Sequence, residues 1–281
     1  MRKKLEDRGE AVVQGKYLAT WATKSFAVAA LFAGLALPLS ARAEPPTQKC
    51  DAPLDLLRLT HPLSRVSQKL AAQEPILIVA IGSSSTAGAG ASSPAANYPA
   101  RLAAELKTLL PEQSITVLNR GVNGEEVSDM LKRFDNAVIA VKPDLVLWQL
   151  GTNSVIRDHK ISDRDSSIRN GVKKIRAAGA DVVLIDPQFA PKVIVKAEAE
   201  HMVELIATAA KMEDVDLFRR FDVMKRWTVV DHLPFQAFVA PDGLHMNDWG
   251  YACMAKGLGM AIAEAAQRPV LSATVASRLV P

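Results

Sequence analysis

Apolar runs alternate with amphipathic segments along the chain from residue 75 onward. The run ILIVAIG at 76–82 is apolar throughout, which is typical of a strand buried on both faces of a parallel sheet. Further strands are predicted at 114–121, 144–151, 181–187 and 214–221. Helical spacing of the apolar positions predicts helices at 98–110, 125–141, 165–179, 192–212 and 247–267. This alternation predicts an α/β fold, a three-layer α/β/α sandwich around a five-stranded parallel sheet.

The same pattern divides the chain into four parts. Residues 1–43 have the composition of a signal peptide, and 44–74 form a polar arm interrupted by proline. The α/β domain is predicted at 75–267, followed by a tail at 268–281.

The first part has the features of a secretory signal. A basic region ends at Lys24, an apolar run covers 25–40, and Ala41-Arg42-Ala43 supplies the small residues of a cleavage site. We therefore expect cleavage after Ala43, a periplasmic or secreted mature chain, and no stable membrane span after cleavage. The alternative is an uncleaved N-terminal membrane anchor, for which the run is shorter than the ~20 residues that a spanning helix prefers.

Charge argues against a nucleic-acid partner. The net charge of +4 comes from the first 43 residues, and the rest of the chain has 27 basic and 27 acidic residues. Aromatic residues make up only 5% of the chain. Neither a basic face nor a set of stacking side chains is therefore predicted.

Two cysteines, Cys50 and Cys253, both lie in the predicted mature chain. In an oxidising compartment such a pair can form a disulfide, which would tie the N-terminal arm to the last helix. Two free thiols, with Cys253 buried in that helix, fit the sequence equally well.

Small polar residues follow the predicted strands and precede the last helix. They occur in GSSSTAG at 82–88, NRGVNG at 119–124, GTNS at 151–154 and DGLH at 242–245. In a parallel α/β sheet these segments meet at the carboxyl edge of the strands. Together they offer what acyl transfer needs: a serine nucleophile, a histidine base, an aspartate to orient it, and a glycine N–H and an asparagine amide to hold an oxyanion.

These four segments resemble the conserved blocks of the SGNH hydrolases, the GDSL-type esterase/lipase family, over about 76–265. Aligned with the family's first block, GSSSTAG places the nucleophile at Ser84. The other functional positions fall on Gly124, Asn153, Asp242 and His245. The resemblance implies a flavodoxin-like fold, a catalytic triad of Ser84, His245 and Asp242, and an oxyanion hole formed by Ser84, Gly124 and Asn153.

Two positions depart from the family pattern. Ser83 stands where the family usually has an aspartate before the nucleophile, and Ser154 stands where an aspartate commonly follows the asparagine. Because those acids support the loops rather than react, we expect activity to survive their replacement by serine, which can still hydrogen-bond local backbone.

The resemblance implies a serine esterase that needs no metal or cofactor. A short acyl ester is the expected substrate, either a small molecule or O-acetyl groups on envelope or extracellular carbohydrate. Lipid-ester or thioester hydrolysis and acyl transfer remain alternatives on the same site. From other classes, the sequence leaves open a flavodoxin-like module that binds phosphate or flavin through its Ser/Thr/Gly loop, and a non-catalytic glycan-binding protein. The apolar segment HLPFQAFVA at 232–240 fits either core packing or a wall of the acyl site.

Overall fold

The computed structural model describes residues 50, 52–159 and 164–268. The expectations for the signal peptide at 1–43 and for the tail beyond residue 268 concern residues outside these ranges. No helix among the described residues has both the length and the apolar character needed to cross a membrane.

A five-stranded parallel sheet forms the centre of the domain, as predicted. Its strands are β1 (Ile76–Gly82), β2 (Ile115–Gly121), β3 (Leu145–Gln149), β4 (Asp181–Ile185) and β5 (Asp216–Phe218), in the order β2-β1-β3-β4-β5. Every residue of β3 is buried, as are all but one of β1, which explains their uninterrupted apolar sequences. The edge strand β2 is only half-buried.

Helices cover both faces of the sheet. In the described residues they are α1 (Leu54–Leu57), α2 (Ser64–Ala71), α3 (Ser84–Ala87), α4 (Tyr98–Leu109), α5 (Val127–Lys132), α6 (Phe134–Ala137), α7 (Thr152–Ile156), α8 (Arg164–Ala177), α9 (Pro191–Ile194), α10 (Ala199–Met212), α11 (Arg220–Val229) and α12 (Asp248–Gln267), with 3-10 turns at Pro94–Ala96, Ile139–Val141 and Phe235–Ala237. Helix α4 packs against α12, whereas α8 packs against α5 and α10. The chain moves along the sheet in one direction from β1 to β2 and in the opposite direction from β3 to β5. Because the crossovers are right-handed, the helices of the first connection and the helices of the later connections lie on opposite faces of the sheet. The predicted three-layer sandwich is therefore confirmed.

Three predicted elements were wrong in extent. The helix predicted at 125–141 is broken into α5, α6 and a 3-10 turn, with non-helical backbone at Arg133 and Val138. The helix predicted at 192–212 is interrupted between α9 and α10. The strand predicted at 214–221 ends at Phe218, and the unpredicted helix α11 begins at Arg220.

Three aspartates at the amino edge of the sheet hold the N-terminal arm. Asp144 accepts hydrogen bonds from Arg65 Nε and the Leu77 N–H, both at 2.9 Å. Asp181 accepts the Val66 N–H at 3.0 Å, and Asp216 accepts the Thr60 N–H at 2.6 Å. Each aspartate begins or directly precedes a strand, so the arm lies across the sheet edge opposite the carboxyl ends of the strands.

A disulfide joins Cys50 to Cys253 of α12 across 203 residues of sequence. It links the start of the arm to the last helix, and Cys253 is buried within the domain core. Of the two arrangements that the sequence left open, the structure contains the bridged one.

Candidate active site

The predicted site residues lie at the carboxyl edge of the sheet. The parallel register pairs Gly82 of β1 with Gly121 of β2, so the turns after both strands leave the sheet at the same level. A Cβ at Gly121 would lie 2.1 Å from the Ala87 backbone nitrogen, which means that β2 ends directly against α3, the helix beginning with Ser84. Glycine at 121 is required by this close approach.

Ser84, His245 and Asp242 form a continuous chain of hydrogen bonds. Ser84 Oγ lies 2.8 Å from His245 Nε2, and His245 Nδ1 lies 2.5 Å from Asp242 Oδ2. The turn itself orients the acid, because Asp242 Oδ1 accepts the N–H groups of Leu244 and His245 at 2.9 and 3.0 Å. The structure thus brings together the three side chains that the sequence singled out, in the order nucleophile, base and orienting acid.

Exposure decreases from the acid to the base. The Asp242 side chain is 43% exposed, the His245 ring is only 14% exposed, and Ser84 is half-buried. Partial burial of Asp242 opposes ionisation, but the hydrogen bonds from the His245 ring and from the Leu244 and His245 N–H groups outweigh it and hold the pKa of Asp242 below its usual value. The carboxylate is therefore charged across the neutral pH range and available to stabilise an imidazolium.

A glutamine side chain, Gln149, binds the hydroxyl groups of the residues around Ser84. Gln149 Oε1, at the end of β3, accepts the N–H of Ser83 at 2.9 Å and also lies within hydrogen-bond distance of the Ser83 and Thr86 hydroxyls. Ser83, which stands where the family usually has an acid, is 2% exposed. These contacts fix the turn before the nucleophile. They also use the Ser83 N–H and the hydroxyl donors that a phosphate-binding loop would offer to its ligand.

A second glutamine, Gln188, connects three parts of the site. Its Oε1 accepts the Thr152 hydroxyl at 2.9 Å and lies 3.4 Å from Ser85 Oγ, while its Nε2 donates to the Leu244 carbonyl at 3.2 Å. It therefore ties α3, α7 and the Asp242–His245 turn together. Sequence reasoning missed both glutamines, although each is a polar residue at or just after the end of an apolar strand.

Two of the three proposed oxyanion donors, Gly124 and Asn153, lie in the turn after β2 and in helix α7. Gly124 has a φ of 79°, a left-handed conformation that favours glycine. Asn153 in α7 is 6% exposed, and its Nδ2 donates one hydrogen to the Glu125 carbonyl at 2.8 Å. Because an amide nitrogen has two hydrogens, the second stays available to a substrate oxygen.

A buried acid missed by the sequence analysis lies behind these donors. Glu126 has a side chain only 6% exposed and accepts hydrogen bonds from Ser154 Oγ at 2.8 Å and Arg157 Nη1 at 2.9 Å. His159 is half-exposed, and its Nδ1 lies 2.8 Å from the same carboxylate.

The segment 232–240 has the core-packing role that the sequence left open, and its role as a wall of the acyl site stays a prediction. Phe238 and Val239 are buried in the core. Phe235 is half-buried and stacks on Phe189, with ring centroids 5.8 Å apart, on the segment that follows Gln188. Half-buried aromatic rings thus lie on the two segments that flank the site.

Proteins similar to this chain in sequence or structure include esterases and a lipase/acylhydrolase. An acetylxylan esterase of Geobacillus stearothermophilus is 28% identical over 102 residues, which is 33% of this chain and 47% of that protein, so the alignment spans about half the length of this curated relative. A two-domain esterase active on acetylated mannans superposes with a TM-score of 0.66 at 18% identity, covering 77% of this chain and 57% of that one. A lipase/acylhydrolase from Enterococcus faecalis superposes with a TM-score of 0.56 at 22% identity, covering 67% of this chain and 96% of that one. At these identities the structural likenesses establish the fold.

The family assignment comes from the sequence profile of the non-GDSL lipase-like family, which matches residues 49–268. That range includes all five strands and every residue of the Ser84–His245–Asp242 chain. The protein belongs to the non-GDSL lipase-like family, within the SGNH-like hydrolases.

Proposed function

We propose that this protein is a serine esterase that removes acetyl groups from carbohydrate esters. The hydrogen-bonded chain from Ser84 Oγ through His245 to Asp242 is the observation that supports the reaction type. Membership of a lipase-like family agrees with it. The relatives described as acting on acetylated xylan and mannan support a carbohydrate acetyl ester as the substrate class.

In the proposed first half-reaction, His245 Nε2 takes the proton of Ser84 as Oγ attacks the ester carbonyl carbon. Asp242 holds the ring with its Nδ1–H toward the carboxylate and stabilises the imidazolium. The negative charge that develops on the carbonyl oxygen is held by the N–H groups of Ser84 and Gly124 and by the Asn153 amide. His245 then gives its proton to the departing sugar hydroxyl, which leaves an acetyl group on Ser84.

In the second half-reaction water takes the place of the sugar. His245 removes a proton from the water, the resulting tetrahedral intermediate occupies the same oxyanion site, and acetate leaves as Ser84 regains its proton. Water and ester are consumed, and the carboxylic acid and alcohol are released, so no other reactant is needed.

We also propose that the mature chain works outside the cytoplasm. The signal-like segment that ends at Ala43 is one reason. The Cys50–Cys253 disulfide is an independent one, because such bonds persist in oxidising compartments.

The test combines covalent labelling with substrate profiling. A fluorophosphonate should label the wild type and Ser83→Ala but not Ser84→Ala, because Ser84 Oγ lies 2.8 Å from His245 Nε2 whereas Ser83 Oγ contacts Gln149. Purified protein should release acetate from acetylated xylan or mannan, and chromogenic esters should be cleaved faster as acetate than as octanoate. Labelling that survives Ser84→Ala would refute the proposed nucleophile, and faster cleavage of the long-chain ester would refute the proposed acyl group.

A further inference from the structure

Glu126 lies where the turn that contains Gly124 meets helix α7, which contains Asn153. It directly precedes α5 and forms a capping box with Asp129, so its backbone is fixed by the start of that helix. Glu126 follows Gly124 by two residues. Although its side chain is a carboxylate, Glu126 is only 7% exposed.

The donors to this carboxylate come from the α7 segment. Ser154 Oγ and Arg157 Nη1 donate to it at 2.8 and 2.9 Å, and His159 Nδ1 lies 2.8 Å away. All three belong to α7 or the turn that follows it, the segment that also contains Asn153. A backbone group makes a second contact between the same two segments, because the Glu125 carbonyl accepts a hydrogen bond from Asn153 Nδ2 at 2.8 Å.

These contacts fix Gly124 and Asn153 relative to each other. A buried carboxylate that lacks its donors is strongly unfavourable, so the Glu126 contacts resist any separation of the two segments. Oxyanion donors are effective only when they are held in place before charge develops.

We propose that Glu126 is a positioning residue for the oxyanion hole, an inference that rests on the proposed esterase function. The acid that related hydrolases commonly have directly after the asparagine is replaced here by Ser154. In this chain Ser154 instead donates to the carboxylate of Glu126, which precedes α5. A buried carboxylate is thus present at the contact between the residues after β2 and α7.

Glu126→Gln is the direct test, because it keeps the shape of the side chain and removes its charge. Its kcat for a chromogenic acetate should fall at least about tenfold while KM changes little, since the support acts on the transition-state oxyanion. Glu213→Gln is the matched control. Glu213 is equally buried and is paired with Arg169 at 2.7 Å, but it lies just before β5 at the opposite edge of the sheet. It should lose stability and keep its kcat.

Introducing an aspartate at position 154 in Glu126→Gln gives a readout that a purely structural role of Glu126 would not produce. Ser154→Asp in the wild type places a second carboxylate against Glu126 and should lower kcat through repulsion. The same change in Glu126→Gln restores one carboxylate between the two segments and should raise kcat several-fold. Ser154→Asp that lowers kcat equally in both backgrounds would overturn the proposal.

The outcomes separate this inference from the proposed function. An inactive wild type, or an active Ser84→Ala variant, refutes the esterase proposal itself. An active wild type whose kcat is matched by Glu126→Gln refutes only the role of Glu126. Should Glu126→Gln fail to fold, Ser154→Ala replaces it by removing one of the three donors, and an unchanged kcat in that variant would equally refute the role.

Discussion

The Asp242 carboxylate contacts His245 twice, once at the ring and once at the backbone N–H of the histidine. Oδ2 of Asp242 lies 2.5 Å from Nδ1 of the His245 ring, while Oδ1 accepts the His245 backbone N–H at 3.0 Å. The acid therefore orients the ring and at the same time stabilises the turn that presents it. Removing its charge should impair catalysis without unfolding that turn.

Asp242→Asn should lower kcat by about 10⁴-fold while KM stays close to its wild-type value. The amide preserves an acceptor for the backbone N–H groups but favours the wrong tautomer of His245, as in other hydrolases of this kind. Asp248→Asn is the control, since Asp248 lies six residues further along and binds Ser92 rather than the histidine. Steady-state kinetics on a chromogenic acetate measure both variants, and an Asp242→Asn enzyme within tenfold of the wild type would exclude Asp242 as the orienting acid.

Gly124→Ala tests the loop that provides the proposed backbone donor. Alanine resists the φ of 79°, and relaxation toward an ordinary conformation rotates the N–H away from the oxyanion position. The new Cβ would lie 3.2 Å from the movable end of Arg157, so the protein should still fold. We expect kcat to fall about tenfold to a hundredfold, below the loss of about a thousandfold that a missing donor can cause.

Gly179→Ala is the matched control for this variant. Gly179 has a φ of 85° and open space around its Cβ position, and it lies in the turn before β4 at the opposite edge of the sheet. Both variants should lose about 1–2 kcal/mol of stability from the same backbone strain. Equal activities of the two variants would indicate that the Gly124 N–H is not used.

The sheet and the Asp242–His245 pair could be located from sequence because they depend on local patterns, whereas the choice of Ser84 among three serines came from the family resemblance. The run at 76–82 is apolar whatever surrounds it, and Asp242 and His245 are close enough in sequence for one turn to join them. The structure brings Ser84 to the same place because parallel strands end at one edge. The catalytic roles themselves stay predictions.

What the sequence analysis missed depends on contacts between distant segments. Helix α11 starts where it does because buried Arg220 donates to the Asp186 carbonyl, and nothing near residue 220 in sequence indicates that contact. Glu126 has the local appearance of a helix-capping residue, and its partners at 154–159 are recognised only once α7 is placed beside it. Gln149 was treated as part of a strand, and its role follows from the position of the Ser83 turn.

Cys50→Ala should lower the melting temperature by about 4–20 °C. Removal of a native disulfide typically costs about 2–5 kcal/mol, and each kcal/mol shifts the melting temperature of a chain this size by about 2–4 °C. Cys253 is left in place because it is buried in α12, where its truncation would add a packing defect.

The control for the disulfide is chemical. Reductant should lower the melting temperature of the wild type to that of Cys50→Ala and leave the variant unchanged. Protein produced by export should show no free thiols when it is denatured without reductant. Two free thiols in such a preparation would contradict the Cys50–Cys253 bridge.

The last prediction concerns Asp186, which follows β4 and is fully buried. Burial raises its pKa to about 7, despite the Phe221 N–H that donates to Oδ1 at 2.9 Å and the charge of Arg220. Among the described residues, Oδ2 has no hydrogen-bond partner. Arg220 instead donates to the Asp186 main-chain carbonyl, so the carboxylate is poorly compensated for its burial.

The direction of the pH effect follows from this raised pKa. An unfolded aspartate titrates near ~3.9, so between about pH 4 and 7 the folded state binds the proton more tightly than the unfolded state does. The contribution of Asp186 to the free energy of unfolding is therefore fully present below about pH 4 and is lost as the pH rises through about 7. Its slope is at most about 1.4 kcal/mol per pH unit.

Asp186→Asn removes this titration and keeps Oδ1 as the acceptor for the Phe221 N–H. Urea denaturation at several pH values between 4 and 8 should show the variant gaining stability relative to the wild type as the pH rises to about 7, with a constant difference above it. Asp135→Asn, which changes an exposed acid paired with Lys174, should show no such trend. If Asp186→Asn instead loses stability relative to the wild type as the pH rises, Asp186 is ionised in the folded state and stabilised by the charge of Arg220.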